Sequence, residues 1–342
     1  MNPQLKAVAA RQGNVFSRAQ ALTCGYTDDQ IKYLVADQSW RRIRHGQFAE
    51  TVDRSHLPPW GQRAEEHEEA VHALLNSLEP GSVAVSHQSA LLLHHVPVYG
   101  LDLSKVHVTK LNRRIRSMPG VSCHRGELVA ADLATVNGVP MTTPARAIVE
   151  TGCRAPFEAT VIAADAALRQ GKVQPEEVER LLNATVRWPG SPKARAAFRF
   201  ADGRSESVGE SRLRILMADL GLPAPELQVE FADAAGQFAR VDFYFPEFRT
   251  VVEFDGLVKY GDSAGEVVMR EKAREDRLRA LGLEVVRHHL GRPRRTGSPR
   301  RANPPRFRPL PRFPVGGPPA GRGLAGAALE AVYVQEDDGA GF

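Results

Sequence analysis

Apolar residues recur at helical spacing in the first part of the chain and at alternating spacing towards its end. Residues 4–12 have the pattern of a short helix. Val15-Phe16-Ser17 closes an extended stretch, and Ser17 is placed to cap a helix over 18–23. Gly25 makes a turn. Thr27 followed by Gln30 has the form of a capping box, and the helix it opens carries Ile31, Leu34 and Val35 at i, i+3 and i+4. Trp40, Ile43 and Phe48 then stand among basic residues around Gly46, which predicts a hairpin over 40–49. After Pro58-Pro59, residues 61–78 are amphipathic and helical, 82–86 and 106–109 read as strands, and 89–95 as a helix. Thr143 as N-cap and Pro144 at the first helical position start another helix, followed by helices over 159–169 and 175–182. From 207 to 220 a helix presents Leu213, Leu216, Met217 and Leu220. Strands over 227–231, 238–245 and 250–255 follow, with a turn at 233–237, then a helix over 266–281.

Helix, short helix, glycine turn, helix and basic hairpin is the order of a winged helix-turn-helix. The recognition helix falls over 27–36 and the wing over 40–49, where Arg41, Arg42 and Arg44 are candidates for phosphate contact. The alternative is a three-helix cap packed on the rest of the chain, and Asp28 and Asp29 would repel phosphates that they faced.

The sharpest chemistry lies in the strands after 205. Alternation puts Val241, Phe243 and Phe245 on one face of a strand and Arg240, Asp242 and Tyr244 on the other; Val251, Glu253 and Asp255 share a face of the next. If 246–249 is a four-residue loop, Phe245 faces Thr250, and in that register Asp242 faces Glu253. Opposed residues have Cβ atoms ~4.5–5.5 Å apart, and like charges there destabilise a sheet. Two acids so placed want a cation, and Mg²⁺ (or Mn²⁺) is held by such carboxylates together with phosphate oxygens. The alternative is a pair of exposed acids on a solvent face; against it, Glu253 stands in Val-Val-Glu-Phe, an apolar run typical of a buried strand. The apolar stripe of the preceding helix also carries Glu210 and Glu206, and a core-facing carboxylate is costly without a partner. Arg270, Arg274 and Arg277 form one stripe with Leu281 and either point at a phosphate backbone or pair with Glu271 and Glu275. His87 and His94 are two turns apart, with His95 beside them. No Cys or carboxylate stands there at ligand spacing, so they read as packed or surface histidines. Arg113, Arg114 and Arg116 make a local basic run.

Composition narrows the class. The 342 residues suit two or three domains of ~100–200 residues. With 42% hydrophobic and 25% charged residues, disorder along the whole length is excluded. No apolar run approaches roughly 18 residues, so no transmembrane helix and no membrane partner are expected. The start lacks an apolar leader, and Cys24, Cys123 and Cys153 fit neither a disulfide framework nor a zinc cluster, which points to a reducing cytoplasm. A net charge of +5 is a mild hint of nucleic acid. Residues 291–342 are rich in Arg, Pro and Gly and are expected to be disordered: a basic arm, a tail without a role, or a frame-shifted end.

Two stretches resemble known families. Ala10-Arg-Gln-Gly-Asn-Val-Phe-Ser-Arg-Ala-Gln-Ala-Leu-Thr-Cys-Gly-Tyr, with Trp40-Arg-Arg-Ile-Arg-His-Gly-Gln-Phe, resembles the N-terminal domain of AbiEi-type antitoxins of type IV toxin–antitoxin systems. That resemblance implies a winged helix on operator DNA and a cognate toxin as a possible partner. Val-Ser-His-Gln-Ser-Ala-Leu at 85–91 and Thr-Thr-Pro-Ala-Arg-Ala-Ile at 142–148 are similar to the region that follows it. Gly-Glu-Ser-Arg-Leu-Arg at 209–214, Arg-Val-Asp-Phe at 240–243, Val-Val-Glu-Phe-Asp-Gly at 251–256, Lys-Tyr-Gly at 259–261 and Glu-Lys-Ala-Arg-Glu-Asp-Arg-Leu-Arg at 271–279 resemble Vsr-like endonucleases of the PD-(D/E)XK superfamily. This resemblance implies a mixed sheet flanked by helices, with metal on Asp242 and Glu253 and support from Glu210. The superfamily usually has Lys two residues after the second acid; here Asp255 stands there, and Lys259 or Lys272 would supply the cation.

The expected architecture is α+β / α/β: a winged helix over 1–55, an α+β region over 60–200, a restriction-endonuclease-like domain over 205–290 and a tail over 291–342. The expected function is DNA binding with Mg²⁺- or Mn²⁺-dependent phosphodiester hydrolysis. Asp242, Glu253, Asp255, Lys259 and Lys272 are its candidate catalytic residues, Glu210, Asp242 and Glu253 its metal ligands, and Arg41, Arg42, Arg44, Arg270 and Arg274 its DNA contacts. The alternatives are an antitoxin-type regulator with an inactive nuclease fold and an interaction protein without DNA.

Overall fold

A computed structural model describes residues 1–111, 118–234, 236–255 and 264–288, without the side chains of 264–268. The basic run at Arg113, Arg114 and Arg116, Lys259 and the tail from 291 lie outside the described residues. The chain is a mixed α+β protein that divides into two compact units, Met1–Gly203 and one beginning at Arg204.

The first unit opens with α1 (Pro3–Ala10), β1 (Val15–Ser17), α2 (Arg18–Thr23), α3 (Asp28–Ala36), β2 (Trp40–Arg44) and β3 (Gln47–Glu50). Ser17 with Gln20 and Thr27 with Gln30 form full capping boxes, so both helices start where their side chains satisfy the first free N–H groups. The strands join in the order β1-β3-β2. Leu5, Phe16, Ile31, Trp40 and Phe48 are buried together, with the Phe16 ring edge-on to Trp40 at 4.6 Å.

α4 (Pro59–Leu75), β4 (Val83–Val85), α5 (His87–Leu93), β5 (Val106–Lys110), β6 (Val121–His124), β7 (Leu133–Val136), β8 (Val139–Thr142) and helices α6 (Pro144–Gly152), α7 (Phe157–Arg169), α8 (Pro175–Ala184) and α9 (Ser191–Phe200) complete this unit among the described residues. Their strands form a mixed sheet in the order β6-β5-β4-β8-β7. Val83, Val85, Val106, Val108 and Met141 fill its core with Leu74, Leu91 and Ile148. α6 is buried from Ala145 to Gly152, where small residues let neighbouring helices approach; a Cβ on Gly152 would meet Thr160 Cγ2 at 2.8 Å and Ala194 Cβ at 3.0 Å. Residues 1–50 and the α+β region share this unit: Glu69 on α4 is buried and accepts from Arg41 of β2 at 2.7 Å and from Arg54 at 2.5 Å.

The second unit contains α10 (Val208–Asp219), β9 (Glu226–Asp233), β10 (Gly236–Phe245), β11 (Thr250–Phe254), α11 (Ala264–Ala280) and β12 (Glu284–His288). The sheet order is β12-β11-β10-β9. β9, β10 and β11 are antiparallel neighbours, whereas β11 and β12 are parallel and are joined through α11, as a parallel pair requires a crossover. Leu213 and Met217 of α10 pack with Phe243, Phe245, Leu227 and Val252; Leu278 of α11 packs with Ala239, Val241, Val251 and Leu283. Val241 therefore belongs with Val251 and not, as strict alternation predicts, with Phe243 and Phe245. The ladder skips Asp242: Val241 pairs with Val229 and Phe243 with Leu227, and Gln228 between them has φ 56°. A left-handed residue in one strand turns both strands locally and changes the face that each presents.

Candidate functional site

That kink brings two carboxylates together. Ser207 caps α10 by accepting from Glu210 N at 3.0 Å, which holds Glu210 in the first turn, where the helix dipole favours an acid. The adjacent Gly209 allows close approach of β11, since a Cβ there would overlap the Phe254 ring. Glu210 Oε2 accepts from Glu206 N at 2.9 Å and from Gln228 Nε2 at 3.0 Å; the same amide nitrogen is 3.4 Å from Asp242 Oδ1. Asp242 Oδ2 accepts from Phe254 N at 2.8 Å, taking up a β11 donor where the β10–β11 ladder ends. Among the described residues no basic side chain is ion-paired with either carboxylate.

Burial pushes the Glu210 carboxyl above the ordinary carboxylate range, and the charges on Asp242 and Glu206 push the same way, against the Glu206 N–H and Ser207 hydrogen bonds. Asp242 is raised by burial and by Glu206, against its bond from Phe254 and the charge on Arg274. A carboxyl with a raised native pKa favours folding in its protonated form. Its contribution is present below the ordinary carboxylate range and lost as pH rises through the raised value. Asp242→Asn should therefore raise stability near neutral pH by about 0.2–1 kcal/mol, the scale of close charge pairs in sheets. Thermal melts should show that gain fading as pH falls into the carboxylate range; a lower melting temperature at neutral pH would contradict it.

Glu253 has different company. β10 and β11 keep the expected register, with Phe245 opposite Thr250, Tyr244 opposite Val251 and Phe243 opposite Val252. The acid one step beyond turns to α11, where both its oxygens are taken by Arg274, Oε1 from Nη1 at 2.5 Å and Oε2 from Nη2 at 2.9 Å. Arg274 also donates to Glu271 at 2.8 Å. Arg287 lies directly across from Glu253 on β12, 3.7 Å from Oε2, and reaches Glu271 at 3.2 Å, Glu275 at 3.3 Å and Asp255 at 3.9 Å. Glu253 thus finds its cation within the chain. Arg240 pairs with Glu206 at 2.8 Å, and Arg277 with Asp233 while its guanidinium stacks 4.1 Å from the Phe238 ring. Arg270 and Lys272 are exposed on α11. Of the expected metal ligands, the structure brings Glu210 and Asp242 together and engages Glu253 elsewhere.

Of the three hairpin arginines only Arg42 is exposed; it lies over the Phe48 ring at 6.0 Å. Arg41 is spent on Glu69, and Arg44 is half-buried with Nη2 at 3.9 Å from Met118 Sδ. The acids at the start of α3 have partners, Asp28 with Arg18 at 2.5 Å and Asp29 with Lys32 at 3.0 Å.

Sequence reasoning missed Gln228, whose backbone turn no local pattern announces, and a histidine group in the first unit that only strand pairing assembles. His87, His107 and His124 each bring a ring nitrogen within 4.8 Å of the others.

These features define an α+β protein of two compact units, one of which holds a carboxylate pair between a helix start and a sheet kink. The chain belongs to the family of two Mycobacterium tuberculosis proteins named uncharacterized protein Rv2248 and uncharacterized protein MT2308. Each is 33% identical to it over 201 residues, 58% of this chain and 73% of the relative. No family model matches the chain. Among the described residues no helix is long and apolar enough to cross a membrane.

Proposed function

We propose that this protein binds DNA in the cytoplasm and that its second unit is a divalent-metal-dependent phosphodiesterase of the PD-(D/E)XK, Vsr-like type. The Glu210–Asp242 pair carries the reading: two carboxylates joined through one amide, both raised by burial, without an ion-paired base among the described residues. All-oxygen donors of this kind fit Mg²⁺ or Mn²⁺. Glu210 and Asp242 would hold the ion; Glu253 fits it only when released from Arg274. A bound ion would supply charge neutralisation at the scissile phosphate and a water of lowered pKa. Gln228 keeps the two carboxyls together, and the exposed Lys272 and Arg270 face solvent, where a phosphate backbone would pass. The order of helices and hairpin over residues 3–50 supports a winged helix, with Arg42 as its exposed wing arginine.

The Arg274 clamp on Glu253 favours a second reading, an antitoxin-type regulator with a cognate toxin and a nuclease fold that does not cut. One experiment separates the two. Full-length protein and Asp242→Asn are incubated with plasmid and single-stranded DNA, with and without Mg²⁺ or Mn²⁺, and binding is measured across salt concentrations. The nuclease reading expects metal-dependent cleavage by the unsubstituted protein, lost in Asp242→Asn, with binding retained. Binding without cleavage selects the regulator, and absence of salt-dependent binding removes DNA from both.

A further inference from the structure

The histidine group in the first unit is separate from the carboxylate pair and from every residue assigned above. His87 opens α5, directly after β4. His107 lies on β5 and His124 on β6, which pair in parallel with His107 opposite Ser122 and Thr109 opposite His124. Side chains alternate along a strand, so positions 107 and 109 share a face with 122 and 124, and both imidazoles stand on one side of the sheet. Ring centroids are 3.7 Å apart for His87 and His124, 5.0 Å for His107 and His124, and 5.5 Å for His87 and His107.

The surroundings keep these rings neutral, the form that ligates metals. Burial is the main cause; Arg154 adds to it at all three rings and neighbouring imidazoles at His87 and His107, so that His107 and His124 are pushed down to about 4 and His87 well below its ordinary value. The hydrogen bonds also settle where one proton sits. Gln88 Nε2 donates to Asp102 O at 3.2 Å, which identifies it as the amide nitrogen, so it also donates to His107 Nε2 at 3.0 Å. The His107 proton is therefore on Nδ1, directed at His124 Nε2 2.9 Å away. Two nitrogens on a tetrahedral ion with Zn–N near 2.0–2.1 Å stand about 3.3–3.4 Å apart. A small separation of these two rings would make room for an ion in place of that proton. His87 Nδ1 lies 3.0 Å from Ser86 Oγ and 3.6 Å from Glu150 Oε2, and Glu150 is itself fixed by Arg146. A carboxylate behind a histidine is the usual outer support of such a ligand.

We propose that His87, His107 and His124 bind one divalent transition ion of the zinc class through three imidazole nitrogens, with the fourth position left to water. All-nitrogen donors select Zn²⁺, Co²⁺, Ni²⁺ or Cu²⁺ over Mg²⁺ and Ca²⁺. No thiolate joins them: Cys123 alternates to the opposite face and packs against the core. Binding moves the His107 proton from Nδ1 to Nε2, and the Gln88 amide gives up its bond to Asp102 O and turns so that its oxygen accepts that proton; no proton or electron is gained or lost overall. The His87 ring must also leave its stack on His124, since planes inclined by only 21° aim their lone pairs side by side rather than at one point. Access comes from the sheet edge, because β6 is the outermost strand and His107 and His124 are half-buried.

Full-length, metal-stripped protein titrated with Co²⁺ should develop the intense visible absorption of a four-coordinate site at one equivalent per chain, and Zn²⁺ should abolish it. The signal should persist in Asp242→Asn, which separates this site from the carboxylate pair. His107→Gln and His124→Gln should each weaken Co²⁺ binding more than ~10-fold, since each removes a ligand where even an outer-support change costs 10–100-fold. Nitrogen-15 spectra of the unsubstituted protein provide a readout independent of how the variants fold: Zn²⁺ should move the ring nitrogens of His87, His107 and His124 among the eleven histidines. Absence of the Co²⁺ absorption, its survival in both histidine variants, or Zn²⁺ shifts confined to other histidines would overturn the proposal.

Discussion

Replacing Arg146 with Met is expected to cost the first unit about 3–5 kcal/mol, the loss typical when one partner of a buried ion pair is removed. Its side chain is 5% exposed and donates to Asp132 Oδ2 at 2.9 Å, Glu150 Oε1 at 3.0 Å and the Glu127 carbonyl at 3.3 Å. The guanidinium also lies 4.7 Å from the Trp188 ring centroid. Without it, two carboxylates stay buried with no cation. Burial already pushes Glu150 above its ordinary range, and the Arg146 charge and hydrogen bond hold it down. Removing Arg146 raises that carboxyl further, so the deficit should be largest near neutral pH and shrink as acid protonates the orphaned groups. Denaturant melts at neutral and acidic pH measure both effects, and an unchanged neutral midpoint would remove Arg146 from the framework of the fold.

Glu253→Gln should lower stability by about 2 kcal/mol, less than a fully buried pair because Arg274 is 22% exposed and retains Glu271. The sign is the informative part. Two opposed acids that lacked a cation would both gain stability on neutralisation. The structure gives Glu253 a bidentate arginine and leaves Asp242 without one, so Glu253→Gln should melt earlier and Asp242→Asn later than the unsubstituted protein. Paired thermal melts decide it; a gain in both variants would show that Arg274 does not hold Glu253 in solution.

Short-range features followed from the sequence by itself. Ser17, Thr27 and Thr143 cap their helices because a capping bond reaches only three residues along the chain. The β10–β11 register followed from the four residues 246–249, since a short loop leaves few ways to pair its flanking strands. The apolar faces of α10 and β11 were legible as periodicity, and hence so were the buried positions of Glu210 and Glu253. Alternation singles out Asp242 as a candidate, yet its geometry depends on the left-handed turn at Gln228 in the neighbouring strand, which no pattern near 242 encodes. The partner of each charged side chain was decided only by tertiary structure. Glu253 meets Arg274 because α11 crosses back over the sheet, and Arg41 meets Glu69 because α4 packs beside the hairpin. The histidines at 87, 107 and 124 belong to different elements, and only parallel pairing of β5 with β6 beside the start of α5 brings their nitrogens together. Caps and registers are settled by bonds a few residues long; the fate of a charge or an imidazole is settled by which distant surface is buried against it.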